Sequence, residues 1–135
     1  MKTYLSFKAK TLRYQLKQFL LMVVAPGAES VIIETEFGPM ARDPLDSYVS
    51  RQLMKWGHYY PKEVAIYKEV SNGLDSALII GRHFGSLAIQ LAELFQSMLC
   101  LEANPSTYRR LEYNVRLNRL RDIVNTRCAA VCERN

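Results

Sequence analysis

The chain has little of what builds metal or disulfide frameworks. Its three cysteines, Cys100, Cys128 and Cys132, form no CxxC pair, and its two histidines, His58 and His83, do not cluster with them. That excludes a disulfide scaffold and a zinc site, so no metal is expected and a reducing, cytoplasmic setting is. Long apolar runs are missing as well. The longest, FLLMVVAPGA at 19–28, is about half of what a spanning helix needs, so no membrane span is expected. Basic residues before it and Ala25 and Ala28 within it imitate a signal peptide, but the polar lead is long and Pro26-Gly27 interrupts the cleavage region. Repeats and low-complexity tracts are absent. So are the Gly-x-Gly-x-x-Gly of a dinucleotide fold and a glycine-linked Lys-Ser or Lys-Thr, which disfavours a nicotinamide-dependent oxidoreductase or an ATP site.

What is present is the composition of one globular domain, with 49% apolar and 23% charged residues in 135. Eighteen Lys and Arg against 13 Asp and Glu leave a net charge of +5, concentrated near the N-terminus and from Arg109 onward. Arg109, Arg110, Arg116, Arg119 and Arg121 fall on the polar side of an apolar-faced helix without interleaved aromatics. They read as a solvated face, and no nucleic-acid partner is expected.

Periodicity organises the chain. Leu12, Leu16, Phe19, Leu20 and Val23 recur at three- and four-residue steps with Arg13, Lys17 and Gln18 on the other face, which predicts an amphipathic helix over 11–24, stopped by Pro26-Gly27. SVIIETEFGPMARDP predicts a β-hairpin turning at Gly38-Pro39. A short helix over 47–55, capped by Asp46 or Ser47, and a second opening at Pro61 with Val64, Ile66, Tyr67 and Val70 inward complete the first half.

From there the pattern becomes strand, helix, strand, helix, strand. Residues 77–80 are wholly apolar, as in a parallel strand buried on both faces, and 98–101 and the DIVNTRCAAV segment are the next strands. Helices lie between them, over 86–95 and from a Ser106 cap onward, the latter with Tyr108, Leu111, Val115 and Leu117 inward. The expected fold is therefore α/β: a small N-terminal helix and hairpin, residues 1–55, leading into a parallel Rossmann-like unit, residues 56–135.

In such a sheet, ligands sit beyond the carboxyl ends of the strands. Gly81 and Gly85 occupy one such end, where the lack of a Cβ lets a ligand approach the backbone. Glu102 stands at the neighbouring end, placed to accept hydrogen bonds from a ribose. The Gly-x-x-x-Gly spacing fits a nucleoside without phosphates better than NAD or ATP. His83 lies inside this turn, Tyr59 and Tyr60 read as packing residues at a helix start, and Cys100 as a small buried hydrophobe.

The stretch from Ser76 to Val131 resembles the front half of the FkbM family of S-adenosylmethionine-dependent methyltransferases. Gly81, Gly85, Glu102, Asn104, Pro105, Tyr108, Leu111, Asn114 and Asn118 stand where that family has its glycine motif, its Glu-Pro-Asn-Pro and its Asn-x-x-x-Asn pair. GHYYPKEV, upstream, resembles the family's Gly-x-Tyr-Glu-Pro segment. Ile79 stands where the glycine motif has its first acid, Arg82, His83 and Phe84 replace Ala-Asn-x, and Tyr60 replaces a Glu. The resemblance implies a partial Rossmann-like methyltransferase fold that binds S-adenosylmethionine through Gly81, Arg82, His83, Gly85, Glu102, Ala103 and Asn104. It implies methylation of an oxygen on a small molecule or sugar, with no catalytic residue assignable. It also implies that the family domain continues beyond this stretch; a truncated, non-catalytic remnant or partner-binding fragment is the alternative.

Overall fold

The structure is a computed structural model that describes residues 2–44, 48–58, 60–81 and 83–133, with side chains from Thr11 onward. Helix α1 (Lys2–Val24) precedes an antiparallel hairpin of β1 (Val31–Thr35) and β2 (Gly38–Arg42). Helices α2 (Val49–Trp56) and α3 (Pro61–Val70) lead into β3 (Ser76–Ile80), α4 (Ser86–Leu91), β4 (Ser97–Glu102), α5 (Pro105–Leu117) and β5 (Val124–Cys128). The last three strands form one parallel sheet in the order β3-β4-β5, with Ile79 opposite Cys100 and Met98 opposite Val124. This is the expected α/β architecture.

Helices α3, α4 and α5 contribute to one core against the sheet. Val64, Leu87, Leu91, Leu111 and Val115 meet Ile79, Met98, Cys100 and Val124 there. A second cluster joins Met40, Val49 and Leu53 of the N-terminal elements to Phe84 and Ile89, so hairpin and sheet unit share buried surface. Ending the helices follows ordinary rules: Gly57, at φ +78°, closes α2 with its N–H on the Leu53 carbonyl.

Several local expectations change. Among the described residues the helices cover one face of the sheet, so β3 is not buried on both: Leu78 is 58% and Ile80 50% exposed. A wholly apolar strand is compatible with either arrangement, and only the layer packed against it decides. Cap duty on α5 falls to Asn104, whose side chain accepts from the Ser106 and Thr107 N–H groups at 2.9 and 3.3 Å. Pro105, with its fixed φ and no donor, suits the first helical turn, which moves the cap one step before it. The hairpin turns at residues 36–37, and Gly38 opens β2 at φ +106°. Of the residues assigned inward on α3, Val64 is buried while Ile66 and Val70 are exposed. Asp46 and Ser47 lie outside the described residues, as does Tyr59.

Helix α1 is the largest departure. It begins at Lys2, and it faces the body with Tyr14, Gln18 and Leu21 half-buried, while Leu12, Phe19 and Val23 are 67, 62 and 62% exposed. Periodicity identifies residues that share a face; it does not say which face the rest of the chain covers.

Polar side chains of α5 join the two halves. Asn114 of α5 is fully buried: Nδ2 donates to the Ala41 carbonyl at 2.8 Å and the Phe84 carbonyl at 2.9 Å, and Oδ1 accepts from the Ala41 N–H at 2.6 Å. One turn on, Asn118 Nδ2 donates to the Pro39 carbonyl at 2.8 Å. Replacing Asn114→Ala strands three buried backbone groups, each worth about 1–3 kcal/mol when left unpaired. The variant is expected to lose about 3–5 kcal/mol in urea denaturation; a loss below about 1 kcal/mol would show that the hairpin is held by other means.

Candidate functional site

Two turns and one carboxylate meet at the carboxyl ends of β3 and β4. The Gly81 N–H donates to the Leu101 carbonyl at 2.8 Å, which carries the parallel ladder one residue past β3 and brings the glycine turn beside Glu102. Gly81, His83 and Gly85 all have left-handed backbone, at φ +66°, +59° and +93°. Glycine adopts that at little cost, whereas His83 spends about 1–2 kcal/mol to do so. At Gly85 a Cβ would lie 2.8 Å from Leu111 Cδ1, so the missing side chain also lets α4 and α5 approach.

Glu102 is 9% exposed. Its Oε2 accepts from the His83 N–H at 3.1 Å and its Oε1 from the Asn104 N–H at 3.0 Å, so one acid ties the glycine turn to the β4–α5 loop. Each carboxylate oxygen retains a further lone pair for a ligand hydroxyl. Ala103 and Asn104 are exposed beside it, but the Asn104 side chain is committed to its cap. Gly81, His83, Gly85, Glu102, Ala103 and Asn104 thus come together at one sheet end; Arg82 lies outside the described residues.

A cleft of about 220 Å³ opens beside the turn, lined by Tyr60, Glu63, Gly81, His83 and Ser86, with Val49 and Leu87. Whole-ligand sites start at about 300 Å³, so this cleft is too small to enclose a whole cofactor-sized molecule. Within it His83 Nδ1 is buried with no hydrogen-bond partner among the described residues, while its ring packs at 4.8 Å on Phe84. A buried, unsatisfied ring nitrogen beside a glycine turn is the kind of polar atom a bound ligand would satisfy. Tyr60 and Glu63 are lining residues that sequence reasoning did not assign to the site. The Tyr60-Pro61 pair is the signal that was available: Tyr60 adopts left-handed φ +46° as the residue before α3, which directs it toward the turn. Its hydroxyl pairs with that of Tyr48, and this hydrogen bond, with the neighbouring charge, raises the Tyr48 pKa above its ordinary value.

Ile79 sits inside the sheet core, opposite Cys100. Desolvation by burial pushes the Cys100 thiol up to about 11, so it stays protonated and unreactive near neutrality. The larger cavities lie elsewhere. One of about 310 Å³ lies between the hairpin and α5, against Ile32, Arg109 and Tyr113, and one of about 280 Å³ is beside β3.

No protein-family model matches the chain, and neither does any curated protein. Solved structures do. Methanocaldococcus jannaschii Trm5 in complex with adenosine matches at 18% identity with a TM-score of 0.55, over 72% of this chain and 28% of that one. Pyrococcus abyssi Trm5b gives 18% and 0.56 over 74% and 28%, and Trm5 in complex with tRNALeu gives 18% and 0.55 over the same shares. The likeness is one of fold alone, and the chain spans just over a quarter of those proteins. It overturns one expectation. A chain of this fold has been solved on tRNA, so a nucleic-acid partner is not excluded by a basic helix face that lacks aromatics.

Two outcomes check the burial around β3. With a thiol reagent at pH 8, Cys128 and Cys132, both exposed, should react in the native chain and Cys100 only after denaturation. Ile79→Asp should lower stability by about 3 kcal/mol or more in chemical denaturation, because it places a carboxylate among Val64, Leu87 and Leu91. An unchanged midpoint would mean that the position reaches solvent.

Proposed function

We propose that the chain carries the S-adenosylmethionine-binding part of a methyltransferase. The observation that supports this reading most is Glu102, held by two loops at the carboxyl end of β4 directly beside the Gly81–Gly85 turn of β3. In this reading the free lone pairs of Glu102 accept the ribose hydroxyls, Gly81 admits the ligand to the backbone, and the open Nδ1 of His83 gives or takes one further hydrogen bond. Ala103 and Asn104, beside Glu102, and Arg82, between Gly81 and His83 in the sequence, complete the proposed set. When bound, the cofactor supplies an already activated methyl group. The chain's residues then act by orientation: they hold donor and acceptor in line and keep water out, which is where such an enzyme gains much of its rate. No side chain here is assigned a covalent or proton-transfer role.

The acceptor has two readings. By its FkbM-like motifs, Glu102 through Asn118 above all, the methyl goes to an oxygen of a small molecule or sugar. The second reading is an RNA acceptor, supported by the Trm5 fold on tRNALeu and by exposed Arg109, Arg116, Arg119 and Arg121 on and after α5.

Calorimetric titration with S-adenosylhomocysteine tests the shared premise. The chain should bind, and Glu102→Gln should weaken binding by about 1.5–3 kcal/mol, since the amide keeps the shape but puts a donor against N–H groups and removes the charge. Equal affinity in variant and parent would remove Glu102 from the site. No binding by the folded parent would favour a non-catalytic, partner-binding role.

A further inference from the structure

We infer that α1 is a docking helix for the surface of an anionic lipid bilayer. Leu12, Leu16, Phe19, Leu20 and Val23 form one continuous stripe at about 3.6 residues per turn, and each is between 49 and 67% exposed. The body is met by the other side of the helix, through Tyr14, Gln18 and Leu21. Exposed large apolar residues scattered singly need no explanation; a stripe that runs for three turns with a phenylalanine in it marks an interaction face.

Charge decides what covers that face. The segment Lys2–Val24 contains Lys2, Lys8, Lys10, Arg13 and Lys17 and not one acidic residue. Arg13 and Lys17 are exposed and follow the stripe along one flank, one turn apart. A second copy of the chain would bring two such helices of the same sign together, so self-pairing through the stripe is opposed by the charges beside it. An anionic bilayer satisfies both features at once. The apolar stripe sinks to the boundary between headgroups and acyl chains, and the long stems of Arg13 and Lys17 lie along it with their charges at the headgroup level. Each basic residue near such a surface strengthens binding by a factor of about five. The helix lies on the membrane and does not cross it: among the described residues no helix is long and apolar enough to span.

Co-sedimentation of the full chain with vesicles tests this, using phosphatidylcholine alone and an equal mixture with phosphatidylglycerol. The chain should pellet with the mixed vesicles, should remain largely in the supernatant with phosphatidylcholine, and should be released by added salt. Leu16→Glu with Phe19→Glu should abolish pelleting, and Arg13→Gln with Lys17→Gln should weaken it by about 25-fold. All four positions are exposed, so circular dichroism and the urea midpoint should match the parent. The inference fails if the folded parent does not pellet with anionic vesicles, if it binds both vesicles equally, or if the glutamate variant binds as the parent does. It also fails if light scattering shows a dimer that the Leu16→Glu, Phe19→Glu variant dissolves, since the stripe would then be covered by a second copy.

Discussion

One buried amide organises this molecule. Asn114 spends both N–H groups and its carbonyl on backbone atoms from two remote segments, Ala41 on the hairpin and Phe84 in the glycine turn. Apolar contact between α5 and the hairpin does not by itself fix register. Three directed hydrogen bonds from a fully buried side chain do, because any slip would leave β2 groups unpaired in a dry interior. Asn118 repeats the device one turn on against Pro39, packed so closely to Gly38 that a Cβ there would displace the Asn118 amide. The hairpin is thereby part of the framework that shapes the glycine turn.

The same constraint reaches the candidate site. Phe84 is fixed by Asn114 on one side, and His83 next to it is fixed by Glu102 on the other, so the turn is held at both ends before any ligand arrives. That accounts for a histidine in left-handed backbone, a conformation that persists only where its surroundings impose it. It also gives Glu102 two duties. As the tie between turn and loop it acts on structure, and through its remaining lone pairs it faces the crevice. An acid already oriented by two backbone N–H groups loses little freedom on binding, which is how preorganisation favours affinity.

The exterior is unevenly finished. The sheet is covered by helices on one face, Leu78 and Ile80 are open on the other, and α1 turns its apolar stripe away from the body. A contiguous exposed apolar surface of this kind marks an interaction face. For β3 the structure does not name a partner, whereas for α1 the uniform positive charge of the segment does.

Much of this was legible in the sequence because local rules dominate there. Alternating apolar strands and amphipathic helices, Pro26-Gly27 and Pro61 at helix ends, and Gly81 and Gly85 beside Glu102 led to the α/β order and to the crevice without any coordinates. Those features depend on backbone conformation and on residues close in the chain. Other features depended on contacts between distant segments. Asn114 and Asn118 read as motif positions, and only folding showed that they are clamps reaching 73 and 79 residues back. The Asn104 cap, the inclusion of Tyr60 and Glu63 in the cleft, and the outward face of α1 were decided the same way. Periodicity sorts side chains onto faces, but which face is covered is settled by the segment that arrives there, and that segment is chosen by packing and hydrogen bonds across the whole chain.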